Sequence, residues 1–238
     1  GRGGVIKKKQ GFTWHASVDR TTGKAAAQEI SRFKARTKRD NNKSSGGGGA
    51  AALLAKTAPV LGQYPQWLCR ASVTLGLLQA KPTSSGAATS IQTRLGGINL
   101  LTMGKPVGQR MAVKTSDNTM SGLLRQEAVQ WKYPITGGLM AVQPGGSLVL
   151  TLRQQQQPSS AVASSAASFS NPPVVVDVVL DTQLIDYRPR LVGNVVSKTL
   201  ANPLRVGFYL GTQSLVHGYV MWRFHRYVRN YYYQKSQK

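Results

Sequence analysis

Alternation of apolar and polar positions runs through most of the chain. In 67–81, Cys69, Ala71, Val73, Leu75 and Leu77 alternate with Arg70, Ser72, Thr74 and Gly76, which predicts a half-buried strand. Further strands are predicted over 89–103, 107–115, 124–133, 138–142 and 147–153, where Leu148, Leu150 and Leu152 share a face. In 174–187, Val174, Val176, Val178 and Leu180 line one face, with Asp177 and Asp181 on the other. The last strand covers 204–210 and continues after Gly211 through 214–227, where Val216, Val220, Trp222 and Phe224 alternate with Met221, Arg223 and His225. From Val220 to Tyr233 a helix is the alternative, because Trp222, Arg226 and Arg229 would then fall on one side. Turn signals at Lys81-Pro82, Ser116-Asp117-Asn118, Thr136-Gly137-Gly138 and Pro144-Gly145-Gly146 separate the runs. Residues 154–173, rich in Gln, Ser and Ala, read as an exposed loop. About eight strands with regular turns predict an all-β fold, and an eight-stranded jelly-roll β-sandwich fits the count.

Charge changes the picture at the ends. The 238 residues hold 31 Lys and Arg against eight Asp and Glu, a net charge of +23. Residues 1–44 carry twelve of the cations: Arg2, Lys7, Lys8, Lys9, Arg20, Lys24, Arg32, Lys34, Arg36, Lys38, Arg39 and Lys43. Large apolar side chains are sparse there, too few to bury a core of their own. Ser44, Ser45 and the glycines 46–49 follow as a flexible tether. Residues 1–49 therefore read as a disordered basic arm, 50–228 as the folded domain and 229–238 as a basic, aromatic tail. A short helix capped by Thr21 or Thr22 and running to about Arg36 is expected to form in the arm on binding only.

The excess of cations points to a polyanion partner. Lys and Arg of the arm neutralise phosphates with little sequence preference, so RNA is the expected ligand. The run Lys34-Ala35-Arg36-Thr37-Lys38-Arg39 would also serve as a nuclear-localisation signal. A second basic and aromatic site is Arg223, Arg226 and Arg229, interleaved with Phe224, Tyr227 and Tyr231. It offers base stacking, but the same residues suit packing or subunit contact, which is the more ordinary use. No membrane partner is expected: no run of about 20 apolar residues exists, and no apolar signal core follows the N-terminal Gly-Arg-Gly-Gly.

Reactive side chains are few. Cys69 reads as a core residue, and His15, His217 and His225 have no partner at a recognisable spacing. Asp177 and Asp181 would lie about 13 Å apart along one strand face, too far for one ion. Ion pairs with Arg188 or Arg190 are the expectation for this acidic group. Glycines 46–49 lack a phosphate-loop context. No enzyme activity, metal or cofactor is expected.

A basic arm, a Gly/Ser tether and an eight-stranded β-domain together resemble the coat proteins of small non-enveloped icosahedral RNA viruses, those of plants in particular. The resemblance is one of layout. It implies a capsid subunit that self-assembles in many copies into the shell of a virion, in the host cytoplasm, and packages genomic RNA through the cations of 1–44. A cellular RNA-binding or ribosome-associated β-protein, or a viral movement protein, fits the same charge without a closed shell.

Overall fold

The computed structural model describes residues 3–9, 11–37, 48–71, 74–114, 125–141, 144–156, 174–192 and 203–236. Ten strands fall in these segments: β1 (Gly3–Lys9), β2 (Phe12–Val18), β3 (Ala25–Thr37), β4 (Leu78–Pro82), β5 (Ala88–Thr93), β6 (Asn99–Gly104), β7 (Val107–Lys114), β8 (Arg125–Gly137), β9 (Ser147–Gln156) and β10 (Val174–Tyr187). Four helices accompany them: α1 (Gly48–Gly62), α2 (Tyr64–Arg70), α3 (Pro203–Gly211) and α4 (Gln213–Ser236). The strands form one sheet in the order β1-β2-β3-β10-β9-β8-β6-β5-β4, with β7 also on β8, and every pairing is antiparallel.

The fold is therefore mostly β, as the alternation predicts. Among the described residues it is not the expected eight-stranded jelly roll. A jelly roll closes its core with a second sheet, whereas here helices do so. One sheet face carries Phe12, Trp14, Phe33, Val178, Leu180, Leu150, Leu152 and Tyr133, all buried. Helix α4 lies over β2 and β3, and α1 over β8 and β9. The Tyr133 hydroxyl donates to the Leu61 carbonyl at 2.6 Å, tying α1 to β8. Tyr64 and Trp67 of α1's neighbour α2 meet Phe224 of α4 with ring centroids 5.0 and 4.9 Å apart.

Residues 3–37 are not a disordered arm. The expected helix near 25–36 is strand β3, hydrogen-bonded to β2 on one side and β10 on the other. The segment needs no core of its own because β10 supplies a sheet edge and α4 supplies a cover for Phe12, Trp14 and Phe33. Gly48 and Gly49 open α1 rather than forming a tether. The other tether residues, 44–47, lie outside the described residues, as do 157–173 of the expected loop.

Two more predicted strands are helices. Among the described residues of the first, only 78–81, within β4, are extended. The segment before it is α2, which opens with Pro65 in its first turn, a position proline favours. Cys69 is buried there, as expected of a core residue. The last predicted strand is α3 and α4. Ser214, Met221, Phe224, His225, Val228 and Tyr232 are buried at helical spacing, and that period wins over the alternation. The predicted strand 89–103 is the hairpin β5–β6, turned at Gly96 and Gly97, both with positive φ. Of 138–142, the described residues 138–141 contribute no strand, only an isolated bridge from Ala141 to Pro189.

Helix α4 approaches β2 closely at Gly218. A Cβ placed there would meet the Trp14 indole at 2.9 Å. Gly218→Ala is expected to destabilise the fold by about 1–3 kcal/mol through overpacking, offset by up to about 1 kcal/mol of helix propensity. Urea midpoints of the two proteins measure the difference.

Candidate nucleic-acid interface

Strand alternation that turns apolar side chains toward the helices turns the others outward. On β3 the outward residues include Arg32 and Lys34, on β8 Lys132 and on β9 Arg153, and all four are exposed. The register brings them together. Val179 of β10 pairs with Arg32 on one side and Arg153 on the other, so these two cations stand two strand spacings apart, about 10 Å. Two rows along, Gln28, Gln183, Val149 and Lys132 are successive partners across four strands.

Two acids share this face: Asp177, opposite Lys34 in the register, and Asp181, which is ion-paired. Asp181 is buried, accepts from Arg153 at 3.1 Å and takes further hydrogen bonds from Gln28 (3.2 Å) and Gln183 (3.0 Å). Gln109 donates to Gln130 at 2.9 Å and Gln130 to Thr151 at 3.2 Å. The result is an amide-rich surface, held rigid by its own hydrogen bonds, with exposed cations at its margin. Such a surface can contact phosphates without reading sequence.

The residues expected to bind RNA are distributed differently from a flexible arm. Lys7, Lys8 and Lys9 belong to the edge strand β1, opposite Trp14, Thr13 and Phe12 in the register. Arg20 is exposed in the β2–β3 turn. That turn is fixed by Asp19, whose carboxylate accepts from the Thr21 amide (2.9 Å) and hydroxyl (2.6 Å), which lowers its pKa to about 2. Lys24 is paired with Asp186 at 2.9 Å. Arg36 sits near the end of β3, paired with Val175. Arg2, Lys38, Arg39 and Lys43 lie outside the described residues. Arg223, Arg226 and Arg229 are on α4, on a helix rather than a strand, with Arg226 exposed and Arg223 and Arg229 half-buried.

Sequence reasoning passed over Lys132 and Arg153. Each is a single cation inside an apolar alternation, and only the outward parity of its strand marks it. The ion pairs also differ from expectation: Asp181 and Asp186 pair with Arg153 and Lys24, not with Arg188 or Arg190. A register shift between Leu184 and Tyr187 turns Asp186, at φ 54°, toward Lys24. Among the described residues, no three His, Cys, Asp or Glu side chains converge to hold a metal ion.

Beneath the helices lies a second polar group. Ser31 Oγ is 2.7 Å from His225 Nδ1, and Thr182 Oγ1 is 2.7 Å from His225 Nε2. His217 Nε2 stands 3.3 Å from the buried Glu29 Oε1, without the alignment of a hydrogen bond. Burial raises the Glu29 pKa, and His217 opposes that rise. His217 and His225 thus have partners about 190 residues away, which no local spacing reveals.

These features define the class: a mostly β protein, one antiparallel sheet with a helix-covered face and a cation-bearing face. No protein-family model matches the chain, and no curated protein matches it.

Proposed function

We propose that this chain is an RNA-binding coat subunit, one that packages nucleic acid in a virion by charge neutralisation. The observation that carries the reading is the outward sheet face, where the exposed Arg32, Lys34, Lys132 and Arg153 outnumber the two acids, Asp177 and the ion-paired Asp181. The net charge of +23 supplies the long-range attraction. The reading shifts RNA contact from a mobile arm to a rigid face. It is a reading of binding and assembly rather than of catalysis.

Self-assembly is favoured by a separate feature. Leu75, Leu77, Leu95 and Ile98 are exposed around the end of the β4–β6 hairpins, where the Arg94 amide donates to the Leu77 carbonyl at 2.7 Å. Clustered exposed leucines mark contact surfaces.

The test is binding of mixed-sequence single-stranded RNA across a salt series, with negative-stain microscopy of the same fractions. Affinity is expected to fall steeply with salt and to vary little with sequence. Removing Arg32, Lys34 and Lys132 together by alanine substitution should reduce the log–log salt slope by about two. An unchanged slope would overturn the assignment of this face. Closed particles holding nuclease-protected RNA are the expected assembly. A monomer that binds RNA without particles would favour a cellular RNA-binding protein, and cooperative coating of RNA without a shell a movement protein.

A further inference from the structure

Helices α3 and α4 are almost one helix. The Thr212 amide donates to the Phe208 carbonyl at 3.0 Å and the Val216 amide to the Thr212 carbonyl at 3.0 Å, so the helical ladder crosses the junction. Along its outer side, Leu204, Phe208, Leu215 and Tyr219 recur at steps of four, seven and four residues, which keeps them on one stripe. Leu204 is 81% exposed, Phe208 60% and Val216, beside the stripe, 64%. A cleft of about 570 Å³ opens at the start of the stripe, lined by Arg190, Leu191, Leu204, Arg205 and Phe208. Arg190, Arg205 and Arg226 are exposed around these apolar side chains. From residue 187 to residue 238 the sequence has nine Lys and Arg and no Asp or Glu.

We propose that this outer face docks on the surface of an anionic lipid bilayer. Apolar side chains on one stripe of a helix with arginines beside them are what an interfacial helix requires. No described helix is long and apolar enough to cross a membrane, so the contact is with the surface. Charge complementarity selects this occupant over a second copy. Two such faces brought together would oppose arginines to arginines. Nor do the acids whose side chains are described elsewhere offer a clustered complement: Glu29 and Asp181 are buried, Asp186 is paired with Lys24, Asp19 is held by its turn, and Asp177 stands opposite Lys34 on the sheet. Nucleic acid would satisfy the arginines and could stack on Phe208 and Tyr219, but it leaves the aliphatic Leu191, Leu204, Leu215 and Val216, the larger share of the patch, without an apolar partner. Acyl chains beneath anionic headgroups satisfy both. The cleft between Arg190 and Arg205 is placed for a headgroup phosphate, with Leu204 and Phe208 directed to the acyl boundary.

The inference does not depend on the RNA reading. Its test is flotation of the full chain with vesicles of phosphatidylcholine alone or with about 30% phosphatidylserine, the anionic fraction that draws basic segments to a surface. Binding to the anionic vesicles is expected to be at least about tenfold tighter than to the neutral ones. Phe208→Ser with Val216→Ser should lower it by at least about tenfold, because both side chains would leave the acyl boundary. Leu204→Ser, at the most exposed of these positions, gives the same readout should the double variant fail to fold. Circular dichroism and RNA affinity should be unchanged in either variant. The proposal is overturned if the apolar variants float as the parent does, which would leave only non-specific charge. It is also overturned if they lose RNA binding, or if they turn an oligomer into a monomer, which would assign the face to nucleic acid or to another copy.

Discussion

A chain lacking residues 1–49 will fail to fold. The deletion removes β1, β2 and β3, and with them one whole side of the sheet. It strips β10 of its antiparallel partner from Val174 to Tyr187. It also takes away Phe12, Trp14, Val18 and Phe33, all buried on the helix-covered face of the sheet. Burial of each such side chain is worth about 1.5–3 kcal/mol, so the four account for about 6–12 kcal/mol. That is comparable with the whole stability of an ordinary domain, about 5–15 kcal/mol. Helix α4 would lose its floor on β2 and β3, including the Phe33 ring that meets Tyr232 edge-on. Far-UV circular dichroism with a thermal melt decides the matter: no cooperative transition is expected. A truncated protein that melts cooperatively near the parent's temperature and has lost only its RNA affinity would show that the N-terminal strands are an appendage after all.

What the sequence discloses depends on whether a segment's environment is local. Strand β10 is legible from end to end, because Val176, Val178 and Leu180 must all face the same buried layer. Most of β9 is legible for the same reason, through Leu148, Leu150 and Leu152. Residues 1–49 are not, because apolar density within a window does not show what a distant partner adds. A segment with one modest apolar face becomes part of the core once β10 lies beside it and α4 above it. Helix α4 carries two periods at once. Val220, Trp222 and Phe224 alternate with Met221, Arg223 and His225, while burial follows every third or fourth residue, and packing on β2 and β3 chooses between the two periods.

The candidate site divides along similar lines. Arg32 and Lys34 stand out because they belong to a dense cationic run. Arg153 and Lys132 are single charges, and their role follows from strand pairing. The chief sites of fixed polar chemistry, Asp181 and the Ser31–His225–Thr182 group, are joined through contacts far apart in sequence. Charge balance therefore indicates the kind of partner, while the sheet's parity indicates which face meets it.

His225 will make the protein acid-sensitive well above the carboxylate range. The imidazole is buried, its two nitrogens lie between the Ser31 and Thr182 hydroxyls, and its ring meets Phe12 edge-on at 5.3 Å between centroids. Each hydroxyl can donate or accept, so either neutral tautomer is satisfied. Burial, with a smaller contribution from His217, pushes the His225 pKa down to about 3, whereas the unfolded chain takes up a proton near the ordinary 6.5. Stability from this group is therefore fully present above pH 6.5 and is lost as pH falls toward 3. By pH 4 the loss should reach about 3 kcal/mol. Glu29 acts in the opposite direction: its raised pKa favours the fold at low pH, and that contribution fades as pH rises. Asp19, with its pKa near 2, adds to the acid loss below about pH 4, below the window in which His225 dominates. His225→Gln keeps a polar side chain between the two hydroxyls but cannot titrate. Relative to the parent it should be less stable by about 1–3 kcal/mol at pH 7.5, from imperfect hydrogen bonding. Between pH 6.5 and 4 it should lose much less than the parent. Urea midpoints at pH 7.5, 5.5 and 4 separate the two proteins. Parallel curves would place the acid sensitivity elsewhere, because a titrating group that has been removed cannot still impose its slope.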